Sequence, residues 1–196
     1  MAKKKLPKIE FKPDPTGSDP LKKLYLTPRQ QRLLAKWVLY SLLVMFALVA
    51  QDTLLARIRL FGATTDLAVC AIVTIGMLEG AEHGGAFALG ASIFYYLSGS
   101  APGPYVIMLV TGVTIATALF RQSFWTLGLS TTVLCTGLGM AVYELALMTI
   151  GLFMNLTRWN RLGVFFMTAV LSAAMVFPLY PVVRAIGNIG GEPWKE

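Results

Sequence analysis

The sequence predicts an all-α, polytopic membrane protein with about six transmembrane helices, and three observations carry that prediction. Only 14% of the 196 residues are charged and 56% are hydrophobic, whereas a water-soluble domain carries roughly 25% charge to keep its surface hydrated. The apolar residues fall into runs separated by short Gly-, Pro- and polar-rich segments, and the mean hydropathy is +0.64. The charge is also lopsided. Lys3, Lys4, Lys5, Lys8, Lys12, Lys22, Lys23, Arg29, Arg32 and Lys36 are ten of the seventeen cationic residues, while the remaining chain holds seven Lys/Arg and seven Asp/Glu. These features exclude a soluble enzyme, a disordered chain and a disulfide scaffold. The net charge of +7 sits beside an apolar helix, so it suits topology and anionic lipid headgroups, with no nucleic acid implied. Cys70 and Cys135 lie inside apolar stretches without CxxC spacing and read as small core residues.

Residues 1–32 form a basic, Pro-rich cytosolic arm and helix start, 33–186 the transmembrane domain, and 187–196 a short tail. Thr27-Pro28-Arg29-Gln30 opens the first helix: threonine caps, proline fits the first helical position, and Gln30 completes a capping box. Leu33–Ala50 then gives about 27 Å of helix, enough for a thin bilayer core. The long basic region and the lack of an A-x-A site argue against a cleaved signal peptide. Asp66 opens a second run, Leu67–Leu78, and Ala86–Leu97 follows after the cluster Glu79-Gly80-Ala81-Glu82-His83-Gly84-Gly85. Each run is short for a span. They are two short tilted helices or a re-entrant hairpin, and two spans are preferred.

Ser98–Pro104 is a turn, and Tyr105–Phe120 is the fourth span. The stretch Phe124–Met154 is too long for one straight crossing. It starts late, bends near Gly137 and Gly139, or protrudes. Leu162–Ile186 is the sixth span, with prolines at 178 and 181 that neighbouring helices must accommodate. With the N-terminus in the cytosol, thirteen Lys/Arg lie inside and four outside (Arg57, Arg59, Arg158, Arg161), as the positive-inside rule favours.

The tightest acid–base cluster is Glu79, Glu82 and His83, which would share one face of a continuous helix. At a predicted cytosolic turn such charges are cheap, so the structural reading outweighs a metal or proton-transfer site. Glu144 is the most deeply embedded acid. It is either an interfacial glutamate or one hydrogen-bonded, or protonated, against another helix. Gly76, Gly80 and Gly84 make a small-xxx-small stripe for close helix packing, within the protein or against a partner. Ser130, Thr131, Thr132 and Thr136 form a mildly polar face able to bond back to its own helix. Nothing resembles a catalytic triad, a phosphate loop or a zinc-ligand set, and no cofactor is implied.

Several local motifs occur in one order: Ala50-Gln51-Asp52-Thr53-Leu54-Leu55, Phe61-Gly62 before Asp66, Leu78-Glu79-Gly80 with Gly84 and Gly85, Leu97-Ser98-Gly99, Tyr143-Glu144, and Phe177-Pro178-Leu179-Tyr180-Pro181-Val182-Val183-Arg184. Together, across residues 33–186, they resemble the MreD family of rod-shape-determining membrane proteins. The chain departs from that pattern at Thr65, where the family usually has proline, and at Tyr95-Tyr96, where it commonly places an acid. The role of that acid is therefore not carried over. The long basic arm is no family hallmark either.

The resemblance implies a non-enzymatic subunit of the cell-elongation machinery in the bacterial cytoplasmic membrane. Its expected partners are an MreC-like single-span protein and a complex of a SEDS glycosyltransferase with a class B penicillin-binding protein, near an MreB-type filament. It also implies a fold similar to the substrate-binding subunits of energy-coupling-factor vitamin transporters, and such a subunit is the alternative function. A vitamin binder needs a polar and aromatic cavity near the outer face, whereas a scaffold needs an apolar or small-residue seam. The glycine stripes and the lack of a dense polar pocket favour the scaffold. The expected helix contacts are Gly76, Gly80, Gly84 and Glu144, with a Tyr180-Pro181 kink shaping the cytosolic end.

Overall fold

The computed structural model describes residues 28–57, 62–124 and 128–189. Residues 1–27 of the basic arm, Arg59 and most of the expected tail lie outside the described residues, as does the lipid contact expected of the arm. Within them the fold is helical, without a β-strand.

Helix α1 spans Pro28–Thr53 and starts on the expected proline, whose missing N–H costs nothing in a first turn. Helices α2 (Leu67–Glu79) and α3 (Ala81–Leu97) are separated by one residue, Gly80. Its φ of +94° lies in the region that glycine alone enters freely, which ends α2 and turns the chain back. Helix α4 covers Tyr105–Phe124, past the expected end at Phe120, and α5 covers Leu129–Phe153. Of the three options for residues 124–154, the late start is the one adopted. Gly139 does not interrupt α5 and lets α4 approach; a Cβ there would sit 2.6 Å from Thr117 Cγ2.

The expected sixth span is made of two helices, α6 (Leu162–Ala174) and α7 (Val176–Ile189), bent by 43° at Met175. Pro178 accounts for the break, because a proline ring collides with the carbonyl four residues earlier, here Ala174. Pro181 lies inside α7 without ending it. The expected kink at Tyr180-Pro181 is therefore corrected to one at Met175, and Tyr180 is a buried packing residue.

Helices α1 to α6 alternate in direction, and α7 continues α6 after its bend. Lys36 of α1 meets Glu79 of α2, and Gln51 meets Ala68. Gly85 of α3 faces Ile115 of α4, and Gly137 of α5 faces Ala173 of α6. The bundle thus has two ends. One carries Lys36, Glu79 and Arg121; the other carries Gln51, Asp66, Tyr95 and Arg161. Helix α2 is central: Ala68 through Leu78 are all buried, and it packs on α1, α3, α4, α5 and α7. A helix apolar all round belongs in such a place. Cys70 and Cys135 are buried free thiols, as expected of core residues. Thr74, Thr111, Thr114, Thr117 and Thr132 satisfy their hydroxyls on carbonyls four residues back, so their helices tolerate them in an apolar setting.

By length and composition, three described helices are able to cross a membrane: α1 from Gln30, α4 to Ser123, and α5; the bent α6–α7 pair makes a fourth. Helices α2 and α3, with 13 and 17 residues, fall short of the ~20 that a straight crossing needs. Leu42, Phe46, Met108, Val142 and Phe166 point outward from the bundle, each more than half exposed. In water such a surface would aggregate; in lipid it is a solvent-matched exterior.

Candidate functional site

The glycine stripe is consumed by the fold. A Cβ on Gly76 would collide with the Thr114 side chain of α4 and lie 3.3 Å from the Gly84 carbonyl oxygen of α3. A Cβ on Gly84 would meet the Gly76 backbone, and one on Gly80 would lie 3.0 Å from Gln122 Nε2. All three glycines are buried, so the stripe is an internal α2–α3–α4 seam and leaves no room for another helix.

The acid–base cluster separates. Glu79 ends α2, and the Gly80 turn sends Glu82 and His83 onto the exposed first turn of α3. Glu79 accepts hydrogen bonds from Lys36 Nζ at 2.5 Å and Tyr40 Oη at 2.7 Å. The Lys36 and Glu79 side chains are 12% and 8% exposed, and the rings of Trp37, Tyr40 and Phe87 pack around the pair. This is a structural clamp between α1 and α2. Among the described residues no group of His, Cys, Asp and Glu is placed to hold a metal ion.

Glu144 turns inward and is 5% exposed. It lines a cavity of about 270 Å³ at the end of the bundle opposite Glu79. Five segments converge there: Gln51 from α1, Asp66 before α2, Tyr95 from α3, Glu144 from α5, and Thr157, Arg161 and Thr168 around and within α6. The sequence reading found no such polar pocket, and that expectation is corrected here. Its residues lie far apart along the chain, and each stands at the edge of a different apolar run. Sequence alone therefore does not single out Gln51, Asp66, Tyr95 and Arg161 as site residues. The available signal was topological: once the helices alternate, all four fall at one end.

The cavity wall is held in place by hydrogen bonds. Asp66 donates its backbone N–H to Ser172 Oγ at 2.9 Å, and the Ala68 N–H donates to Gln51 Oε1 at 2.9 Å. The Tyr95 hydroxyl reaches the Asp66 carboxylate at 3.3 Å and 3.4 Å. At the rim, Ser100 Oγ donates to Asp52 at 2.7 Å, tying the α3–α4 turn to α1.

Asp66 precedes α2, outside the spanning segments. Burial pushes its carboxyl up from the ordinary 3.8 to about 6, against hydrogen bonds that pull it down. Between those two values the folded protein holds a proton that the unfolded chain has released. Stability is therefore expected to fall as pH rises from 3.8 through about 6. Glu144, Arg161 and the Tyr95 hydroxyl face the same space and remain in an Asp66→Asn variant. The difference between wild-type and Asp66→Asn melting curves across that interval isolates Asp66, and parallel curves would count against this assignment.

A second concavity is apolar. Between α4 and α5 lies a groove of about 530 Å³, walled by Met108, Gly112, Ala116 and Phe120 on one side and Cys135, Leu138 and Val142 on the other. Gly112 and Ala116 form a small-xxx-small pair, and a Cβ on Gly112 would have nothing within 4 Å. Unlike the Gly76 seam, this one is open.

In comparisons with family models, curated proteins and solved structures, the chain matches none.

Proposed function

We propose that this chain is a non-catalytic scaffold of the bacterial cell-elongation complex, multi-pass in the cytoplasmic membrane with its N-terminus in the cytosol. It seats the transmembrane helix of an MreC-like single-span partner, beside a SEDS glycosyltransferase and a class B penicillin-binding protein. The open α4–α5 groove is the observation that carries this reading. It is long, apolar and lined by small residues that admit a helix backbone closely. The sequence resemblance to the MreD family supplies the biological setting. In this reading α1 to α5 and the α6–α7 pair make six crossings, α2 and α3 as short spans shielded by their neighbours. The Glu79 end faces the cytosol, where Arg121, Arg184 and the basic arm also fall.

Gly112→Leu is the test. The side chain enters empty space, so folding and membrane insertion are expected to persist while co-purification of the single-span partner drops by about tenfold or more. Undiminished recovery would remove the groove from the interface. A second reading, a substrate-binding subunit of an energy-coupling-factor transporter, is favoured by the polar cavity. Mass spectrometry of proteins retained by the tagged chain separates the two. Wall synthases and a single-span protein support the scaffold, whereas a membrane coupling subunit with paired ATPases supports the transporter.

A further inference from the structure

The polar cavity has a use that neither a scaffold nor a packed bundle requires. Its Glu144 carboxylate is 5% exposed, lines the cavity, and has no hydrogen-bond or ion-pair partner among the described residues. The carboxylate oxygens are not sealed off by protein, so whatever fills the cavity is what satisfies them. Asp66 stands on the same wall, with Tyr95 already donating to it. Two carboxylates around one cavity favour a positively charged occupant, since like charges near each other repel. At the mouth the sign reverses, because exposed Arg161 contributes a guanidinium to the same cavity.

The volume, about 270 Å³, far exceeds the ~10–15 Å³ that admits one water. It lies just below the roughly 300–1,000 Å³ of sites for drug-sized molecules. The occupant is thus a small molecule. A transition-metal ion fits poorly, because two carboxylates without a third His, Cys or acid make no soft or borderline ligand set among the described residues. An anion would face the acidic floor, and an apolar ligand would leave the Glu144 carboxylate unpaired.

We propose that this cavity binds a small zwitterion of amino-acid type, its protonated amine seated on Glu144 and Asp66 and its carboxylate turned toward Arg161. The floor supplies charge-assisted acceptors, and the rim supplies a fork-shaped donor suited to a carboxylate. The inference is independent of which partner occupies the α4–α5 groove.

The full-length protein in lipid nanodiscs is titrated with each of the twenty standard amino acids, followed by thermal shift and native mass spectrometry. For each amino acid the matching amine without a carboxylate and acid without an amine are run alongside. At least one amino acid is expected to bind and to raise the melting temperature more than either fragment. Glu144→Gln is expected to weaken that binding by about tenfold or more. Arg161→Gln, at an exposed position where folding is not at stake, is expected to erase the preference for the amino acid over its amine. No binding by any amino acid, binding equally strong to the amines, or binding indifferent to both substitutions would each overturn the proposal. Retention of the single-span partner by Arg161→Gln shows that a lost ligand site and a failed scaffold are different outcomes.

Discussion

Gly76→Leu is expected to eliminate the folded protein. At this position α2, α3 and α4 meet so closely that the first added carbon runs into Thr114, with the Gly84 carbonyl oxygen 3.3 Å away. Overpacking a core ordinarily costs about 1–3 kcal/mol, because side chains shift to relieve it. Here one of the two obstacles is backbone, and α2 and α3 are held together by the single-residue turn at Gly80, so neither helix has slack to withdraw. A loss of at least ~3 kcal/mol follows, large against the ~5–15 kcal/mol that holds a typical domain. In detergent, size-exclusion chromatography of a fluorescent fusion should show the monodisperse peak replaced by aggregate. Gly84→Ala should move in the same direction, since its methyl meets the Gly76 backbone. Gly112→Leu is the matched control, with nothing within 4 Å. A Gly76→Leu protein that elutes and melts like wild type would refute the three-helix seam.

Glu79→Ala carries the second large effect. Lys36 and Glu79 are 12% and 8% exposed, too buried for the marginal energetics of a surface pair. Removing one partner of a buried ion pair strands the other charge and costs about 3–5 kcal/mol. The Tyr40 hydroxyl loses its 2.7 Å acceptor in the same substitution and is left with the Val183 carbonyl at 3.4 Å. The double change Lys36→Met with Glu79→Leu should recover most of the loss, because two apolar side chains of similar bulk need no counter-charge. A thermal double-mutant cycle measures both effects. If Glu79→Leu and Lys36→Met lower stability by small, additive amounts, the clamp contributes little and Glu79 is free for other roles.

The helices were legible because their boundaries are written in local chemistry: Pro28 at a helix start, Asp66 and Gly80 around α2, and the Ser98–Pro104 turn. The bend in the last span was half legible. Both prolines were seen, but a proline acts on the carbonyl four residues back, so the break fell at Met175, ahead of Tyr180-Pro181. Gly76, Gly80 and Gly84 announced close approach without naming the neighbour, and the answer lay in α3 and α4. Glu144 was recognised as embedded, but its cavity was invisible. Gln51, Asp66, Tyr95 and Arg161 each look like an ordinary border residue until the alternation of helices brings them together. The Lys36–Glu79 pair, 43 residues apart, was hidden for the same reason.

The central place of α2 also constrains how the protein is made. Thirteen residues give about 20 Å of helix, against a hydrocarbon core of ~30 Å. Left alone in lipid this helix would be mismatched at both ends. As one of the six proposed crossings it would enter as a hairpin with α3, and it finds its full enclosure only when α7, the last described helix to leave the ribosome, packs against it. The inside of the molecule is laid down early in synthesis and closed at the very end. A nascent chain stalled before α7 would carry an unshielded centre, which makes it a natural substrate for membrane quality-control proteases.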